Sequence, residues 1–232
     1  MARILVITER ARGALDESAW ELLGAARALA QGGPVAAVLC GKDVGTLAAE
    51  LAHGFDDVHV FDDARLAVPD AESDGLALGA LLQRERFDAI LAAHTNGSID
   101  LLPALSTRLG LPLLADCQTL EWRDGRLAAT RTVYEGKLQA RVLAAACERG
   151  VLASVRSGAF APEARAAQPG GSVHSEALPA GFAPRRRPLR TLEPQASDVD
   201  ISQSQVLVGV GRGIGLLPKV RCTVRKESQL LP

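Results

Sequence analysis

The feature that most constrains this chain is an alternation in its first 115 residues. Short apolar runs of four or five residues are separated by longer stretches with helical spacing. Ile4 to Ile7 reads as a buried strand, ended by the polar run from Thr8 to Gly13. Trp20, Leu23, Ala26 and Ala30 then recur at helical spacing, with Asp16 as the expected cap and Gly32-Gly33 as the stop. Val35 to Leu39 is a second strand, Val44 to Ala52 a short helix and Val58 to Phe61 a third strand. A loop from Asp62 to Ser73 leads to a helix over Leu76 to Arg86 and a fourth strand over Ala89 to Ala93. A helix over Ile99 to Leu109 carries Pro103 near its start and Gly110 at its stop, and Leu111 to Asp116 re-enters the sheet. Alternation at this spacing predicts an α/β fold with a parallel sheet and right-handed crossovers.

Ligands of such sheets lie beyond the carboxyl ends of the strands. Thr8, Glu9, Cys40, Gly41, Lys42, His94, Thr95 and Asn96 would line that edge, either as a site or as the polar loops any such sheet needs.

The pattern changes after Asp116. Leu120 to Trp122 and Leu127 to Tyr134 flank Arg123-Asp124-Gly125, a hairpin turn signal. Leu138 to Ala146 and Val151 to Val155 add strand-like runs, so a β-rich segment is expected to follow the parallel part. Arg131 and Arg156 each sit near the end of such a run, as a polar seam or as ordinary surface arginines. From Ser157 to Asp198 repeated prolines break any regular element. The arginines at 185–187 and 190 in that stretch could form a phosphate-contacting patch, but with no interleaved aromatics and prolines on both sides they read rather as a solvated linker.

Val206 to Gly215, VLVGVGRGIG, is a second focus. An apolar strand running into alternating glycines lets backbone amides approach an anion, or simply makes a glycine turn. The G-x-G-x-x-G fingerprint is not met. The 17 residues after Gly215 are too few for a further strand–helix–strand unit, which takes roughly 30. The chain is therefore expected to begin a ligand-binding domain and not finish it.

Composition removes several function classes. The chain has 232 residues, 47% hydrophobic and 23% charged, with a formal net charge of -1. No global field favours nucleic acid or an anionic membrane. Aromatics are 3%, too sparse for a base-stacking platform. No apolar run reaches the ~18 residues of a spanning helix, and the N-terminus runs straight into a strand, so a cytoplasmic location is expected. Cys40, Cys117, Cys147 and Cys222 are widely spaced and do not cluster with the four histidines, so no metal site is expected. No nucleophile elbow occurs, so no catalytic residue is expected.

Four local strings, in order, resemble the alpha subunit of electron transfer flavoprotein. His94-Thr95-Asn96 with Asp100-Leu101-Leu102-Pro103 resembles that family's motif after the fourth strand. Arg131 to Lys137, RTVYEGK, resembles its Arg-Pro-x-Tyr-Ala-Gly-Asn segment. Ser154 to Phe160 resembles its Val-Arg strand end followed by an aromatic, and Asp200-Ile201-Ser202 through Gly215 resembles the entry to its flavin domain.

The resemblance implies a Rossmann-like parallel sheet with helices on both faces (nucleotide alpha-hydrolase-like) followed by a β-rich segment. It implies an N-terminal domain over 1–160, a Pro-rich connector over 161–198, and the truncated start of an FAD-binding domain over 199–232. It implies an electron carrier with no catalysis of its own. Such a carrier pairs with a beta subunit that holds AMP, takes electrons from acyl-CoA dehydrogenase-type flavoenzymes and passes them to a quinone oxidoreductase. Arg212, between Gly211 and Gly213, matches the arginine that contacts FAD in the family. A guanidinium there would favour anionic flavin and tune its potential.

Departures accompany the match. Lys137 stands in place of Asn, Ile99 in place of a basic residue and Ser98 in place of glycine. Gly209-Val210-Gly211 replaces Ser-Gly-Gly, and the later flavin-binding motifs have no counterpart after Gly215. The FAD site in this chain is thus expected to be incomplete. Two alternatives remain: a remnant that binds the beta partner without FAD, or a nucleotide-binding α/β module. An enzyme on a related nucleotide-binding fold ranks behind both.

Overall fold

The structure is a computed structural model that describes residues 1–11, 13–186 and 188–189. It divides into two units, Met1–Leu189 and Arg190–Pro232. Arg212, Gly211 and Gly213, the expected flavin contacts, lie outside the described residues.

In chain order the first unit holds β1 (Ile4–Ile7), β2 (Arg10–Ala11), β3 (Ala14–Leu15), α1 (Ser18–Ala30), β4 (Val35–Gly41), α2 (Gly45–Leu51) and β5 (Asp57–Asp62). A 3₁₀ turn over Ala64–Leu66 precedes α3 (Ala71–Arg84), β6 (Ala89–Ala93) and α4 (Asn96–Leu109). Then come β7 (Leu113–Cys117), β8 (Thr119–Arg123), β9 (Arg126–Val133), β10 (Leu138–Leu143), β11 (Val151–Val155) and β12 (Ser172–Ser175).

Seven strands form one sheet in the order β12-β5-β4-β1-β6-β11-β7. Every pairing in it is parallel. The central strands are buried along their whole length because helices cover both faces. β1, β6 and β11 have no exposed position. One apolar cluster joins Ile4, Val6, Val35 and Ala37 to Trp20, Leu23 and Ala26 of α1 and Leu51 of α2. The other joins Leu5, Ile7, Val38 and Ile90 to Leu78 and Leu81 of α3 and Leu102 and Leu105 of α4. The expected α/β architecture is thus present, and β8, β9 and β10 form the three-stranded antiparallel sheet of the β-rich segment.

The Asp124-Gly125 turn closes β8 onto β9 with φ of 50° and 73°, the backbone of a two-residue hairpin. Trp122 anchors this small sheet by donating from Nε1 to the Leu29 carbonyl at the end of α1, 2.9 Å away.

Four local readings are corrected. The helix expected to start at Leu76 begins at Ala71, because Asp70 caps it by accepting from the Ser73 N–H at 2.9 Å. Asp16 is not the cap residue of α1, though its carboxylate accepts from the Ser18 N–H at 3.0 Å. Val151–Val155 does not belong with the antiparallel strands. As β11 it inserts between β6 and β7 in the parallel sheet, where its five residues are all buried. Within the proline-rich stretch, Ser172–Ser175 pairs parallel with β5 as the edge strand β12.

Candidate functional site

β1 lies between β4 and β6, so the crossovers leave it in opposite directions and open a crevice at the carboxyl ends of the strands. Thr8, Glu9 and Cys40 from the expected edge gather here. The crevice is a cavity of ≈ 140 Å³ lined also by Arg10, Asp70, Asp74 and Ser98. Lys42 does not join it; its ammonium is 52% exposed and lies 3.6 Å from Asp43.

In nucleotide-binding sheets this position offers a helix N-terminus to phosphate. Here α4 is closed by its own residues. Thr95 and Ser98 form a reciprocal capping box. Thr95 Oγ1 also donates to Oε1 of Glu9 at 2.6 Å, so the chain's own carboxylate stands at that N-terminus. Burial pushes the Glu9 carboxyl up, against the bond from Thr95. Burial also pushes the Asp74 carboxyl up to about 7. Arg10, the one cation of the crevice, is taken up by the carbonyls of Cys40, Leu66 and Ala67 at 3.0, 2.6 and 3.0 Å. A small crevice lined by three carboxyls, with its arginine already bonded to carbonyls, offers phosphate no free donor set. The nucleotide-module reading finds no support in it.

A second cluster forms along the same edge, where β6, β11 and β7 end. Arg156, directly after β11, grips Asp116 of β7 through Nε–Oδ1 at 2.9 Å and Nη2–Oδ2 at 2.5 Å. The guanidinium holds the Asp116 carboxyl below the usual carboxylate range. Asp116 has φ of 59°, so the strand breaks its pleat there and a β-bulge interrupts the β11–β7 register. Its N–H donates to Ser154 Oγ at 2.9 Å, and the same hydroxyl bonds Nδ1 of His94 at 2.9 Å. Arg131 of β9 completes the cluster, and its Nε is buried without a hydrogen-bond partner among the described residues. Asp116, Arg131, Arg156 and the β9–β10 turn line an open groove of ≈ 580 Å³. Tyr134, Glu135 and Gly136 in that turn have φ of 52°, 55° and 86° in succession, and Tyr134 stands 73% exposed.

The two arginines singled out from the sequence thus meet in one groove. Asp116 was missed; its only signal was a lone carboxylate closing the apolar run from Leu111. Ser154, His94 and Asp116 have the residue types of a hydrolase triad but not its geometry. Ser154 is 3% exposed, His94 Nε2 is 4.0 Å from Asp116 Oδ1, and Arg156 already holds that carboxylate.

No helix among the described residues is long and apolar enough to cross a membrane. Cys117 is buried and burial pushes its thiol up to about 12, as expected of a core cysteine.

Residues 4–180 match the family profile described as electron transfer flavoprotein domain. The chain is 27% identical to the electron transfer flavoprotein subunit alpha of Bacillus subtilis over 91% of its own length and 65% of that relative. It is 30% identical to the subunit alpha of Megasphaera elsdenii over 97% of its length and 68% of that relative. It is 28% identical to Protein FixB of Clostridium saccharobutylicum over 91% of its length and 64% of that relative. The chain spans about two thirds of the length of these curated relatives. It belongs to the electron transfer flavoprotein domain family.

Proposed function

We propose that this chain is the alpha-type component of an electron transfer flavoprotein. It acts as a carrier, not as a catalyst, in the cytoplasm and in a heterodimer with a beta-type subunit that holds AMP. Electrons arrive from acyl-CoA dehydrogenase-type flavoenzymes and leave to a quinone oxidoreductase. Residues 199–232 contribute Gly211, Arg212 and Gly213 to the FAD site. The unit Met1–Leu189 serves as the supporting α/β domain.

The observation that carries the reading is the groove of Arg131, Arg156 and Asp116. Arg156 and Arg131 hold a polar edge in fixed geometry, and one buried guanidinium nitrogen is still without a partner. A partly desolvated donor of this kind favours an incoming acceptor over water. That suits a seam to the flavin-bearing part or to the beta partner. No small-molecule chemistry is needed to explain it.

The test is co-purification of a tagged beta-type subunit from the same genome with Arg156→Glu. The reading predicts loss of the partner while the isolated chain stays folded by circular dichroism. Undiminished co-purification would assign Arg156 to an ordinary surface.

A further inference from the structure

The carrier reading makes no use of a buried imidazole near the edge of the parallel sheet. His59 lies in β5 between β4 and β12 and is 4% exposed. Its Nδ1 is 2.8 Å from Oε1 of Glu176, the residue after β12. The other Glu176 oxygen, Oε2, accepts from Arg84 at 2.8 Å. A carboxylate only accepts, so Nδ1 is the donor in its pair with Glu176. Nε2 is buried and has no hydrogen-bond partner among the described residues. Oε2 of Glu85, the residue after α3, lies 3.9 Å from it. That oxygen accepts from Arg3 at 2.7 Å. Nε2 and Oε2 thus face each other across a gap. The Phe87 ring, 6.4 Å away edge-on, and the His174 ring, 5.4 Å away, flank the imidazole.

We propose that His59, Glu85 and Glu176 form a binding site for a borderline divalent transition cation, with Zn²⁺ as the reference ion. One ligand atom from each residue lies within 4.8 Å of the others. Nε2 of His59 and the Glu85 carboxylate are the ligands that face the gap. Glu176 takes the proton of Nδ1 and so fixes ring orientation and basicity, the role a carboxylate plays behind many metal-bound histidines. Zinc takes imidazole nitrogen at about 2.0–2.1 Å and carboxylate oxygen at about 2.0–2.2 Å. Together these lengths bridge the 3.9 Å gap. A tetrahedral angle asks Glu85 to close by roughly half an ångström. Arg3 and Arg84, which neutralise the two carboxylates, reach in from the surface with side chains 36% and 55% exposed. They can swing out to admit the ion and its waters. The ion would clip the edge of the sheet, because His59 and Glu176 are 117 residues apart in sequence and β12 is exposed throughout.

The test uses the full chain, stripped with a chelator, titrated with ZnCl₂ against a chromogenic competitor and with CoCl₂ by absorption. One equivalent should bind, with a raised thermal midpoint. The Co²⁺ spectrum should show d–d bands without near-ultraviolet thiolate charge transfer. His59→Gln should abolish binding and Glu85→Gln should weaken it about 10- to 100-fold. Arg3→Gln should tighten it by freeing Glu85. If His59→Gln does not fold, the opposite signs of the other two variants decide. Failure of the parent chain to bind Zn²⁺, affinity unchanged in Glu85→Gln, or a thiolate band would overturn the site. So would a doubly protonated His59 ring by NMR at neutral pH, which would fill the gap with a proton instead.

Discussion

Arg156 and Asp116 come from neighbouring parallel strands and meet in a two-pronged pair, Nε–Oδ1 at 2.9 Å and Nη2–Oδ2 at 2.5 Å. The Asp116 side chain is 16% exposed and that of Arg156 41%, so solvent screens the pair only in part. The carboxyl is held below its ordinary value. A depressed folded value adds stability that is present above about pH 4, the unfolded value, and is lost as pH falls further. Arg156→Ala should lower stability above pH 5 and flatten the acid limb. Urea denaturation of both proteins from pH 3 to 7 measures the difference, which should shrink toward pH 3.

Asp74 should act with the opposite sign. Burial raises its carboxyl to about 7. The folded chain then binds more protons than the unfolded one between about pH 4 and 7, and stability falls as pH rises through that window. Asp74→Asn should remove that slope and stabilise the protein at pH 8 by on the order of 2–4 kcal/mol, from about 1.4 kcal/mol per unit. Denaturation at pH 5 and pH 8 gives the check; equal gains at both would refute the titration.

The parts of the fold legible in the sequence are those whose signal is local. ILVI of β1 is apolar at every position because both sheet faces are covered, and its burial needs no knowledge of its neighbours. The Asp124-Gly125 turn is equally local. What stayed hidden depends on pairing. Val151–Val155 looks the same whether it joins a hairpin or slips between β6 and β7. Ser172–Ser175 has no buried side chain, so backbone bonding to β5 and the His174–Asp57 and Glu176–His59 contacts mark it as sheet. In the site, Arg131 and Arg156 stood out as charges at strand ends. Asp116 and Ser154 did not, since their roles rest on a left-handed backbone position and on the register of β11 against β7.

Gly150 shows how that register is set. Its φ is 103°, and a Cβ there would lie 2.0 Å from the Phe87 carbonyl oxygen. The close approach lets the Val151 N–H reach the Asp88 carbonyl at 3.2 Å and start β11 beside β6. Gly150→Ala combines a disfavoured backbone with a backbone clash and should cost about 2–4 kcal/mol. A guanidinium unfolding curve within about 0.5 kcal/mol of the parent would contradict this.

Glu72 fastens the chain after β12. Its Oε2 accepts from the backbone N–H groups of Arg185 and Arg186 at 2.9 and 2.8 Å, and Arg186 also reaches Asp100 at 2.6 Å. These contacts are at the surface, so Glu72→Ala should leave global stability little changed. It should nonetheless speed tryptic cleavage after Arg185 and Arg186, because local opening sets that rate. Unchanged cleavage would mean that other contacts hold the segment.

The most direct test of the central claim is the visible spectrum of this chain co-expressed and purified with the beta-type subunit of its own genome. An alpha-type electron-transferring component predicts a stable complex with oxidised-flavin bands that bleach on reduction and return in air. A colourless complex would contradict the electron-carrier reading, and failure to form any complex would contradict the alpha-type assignment of its function.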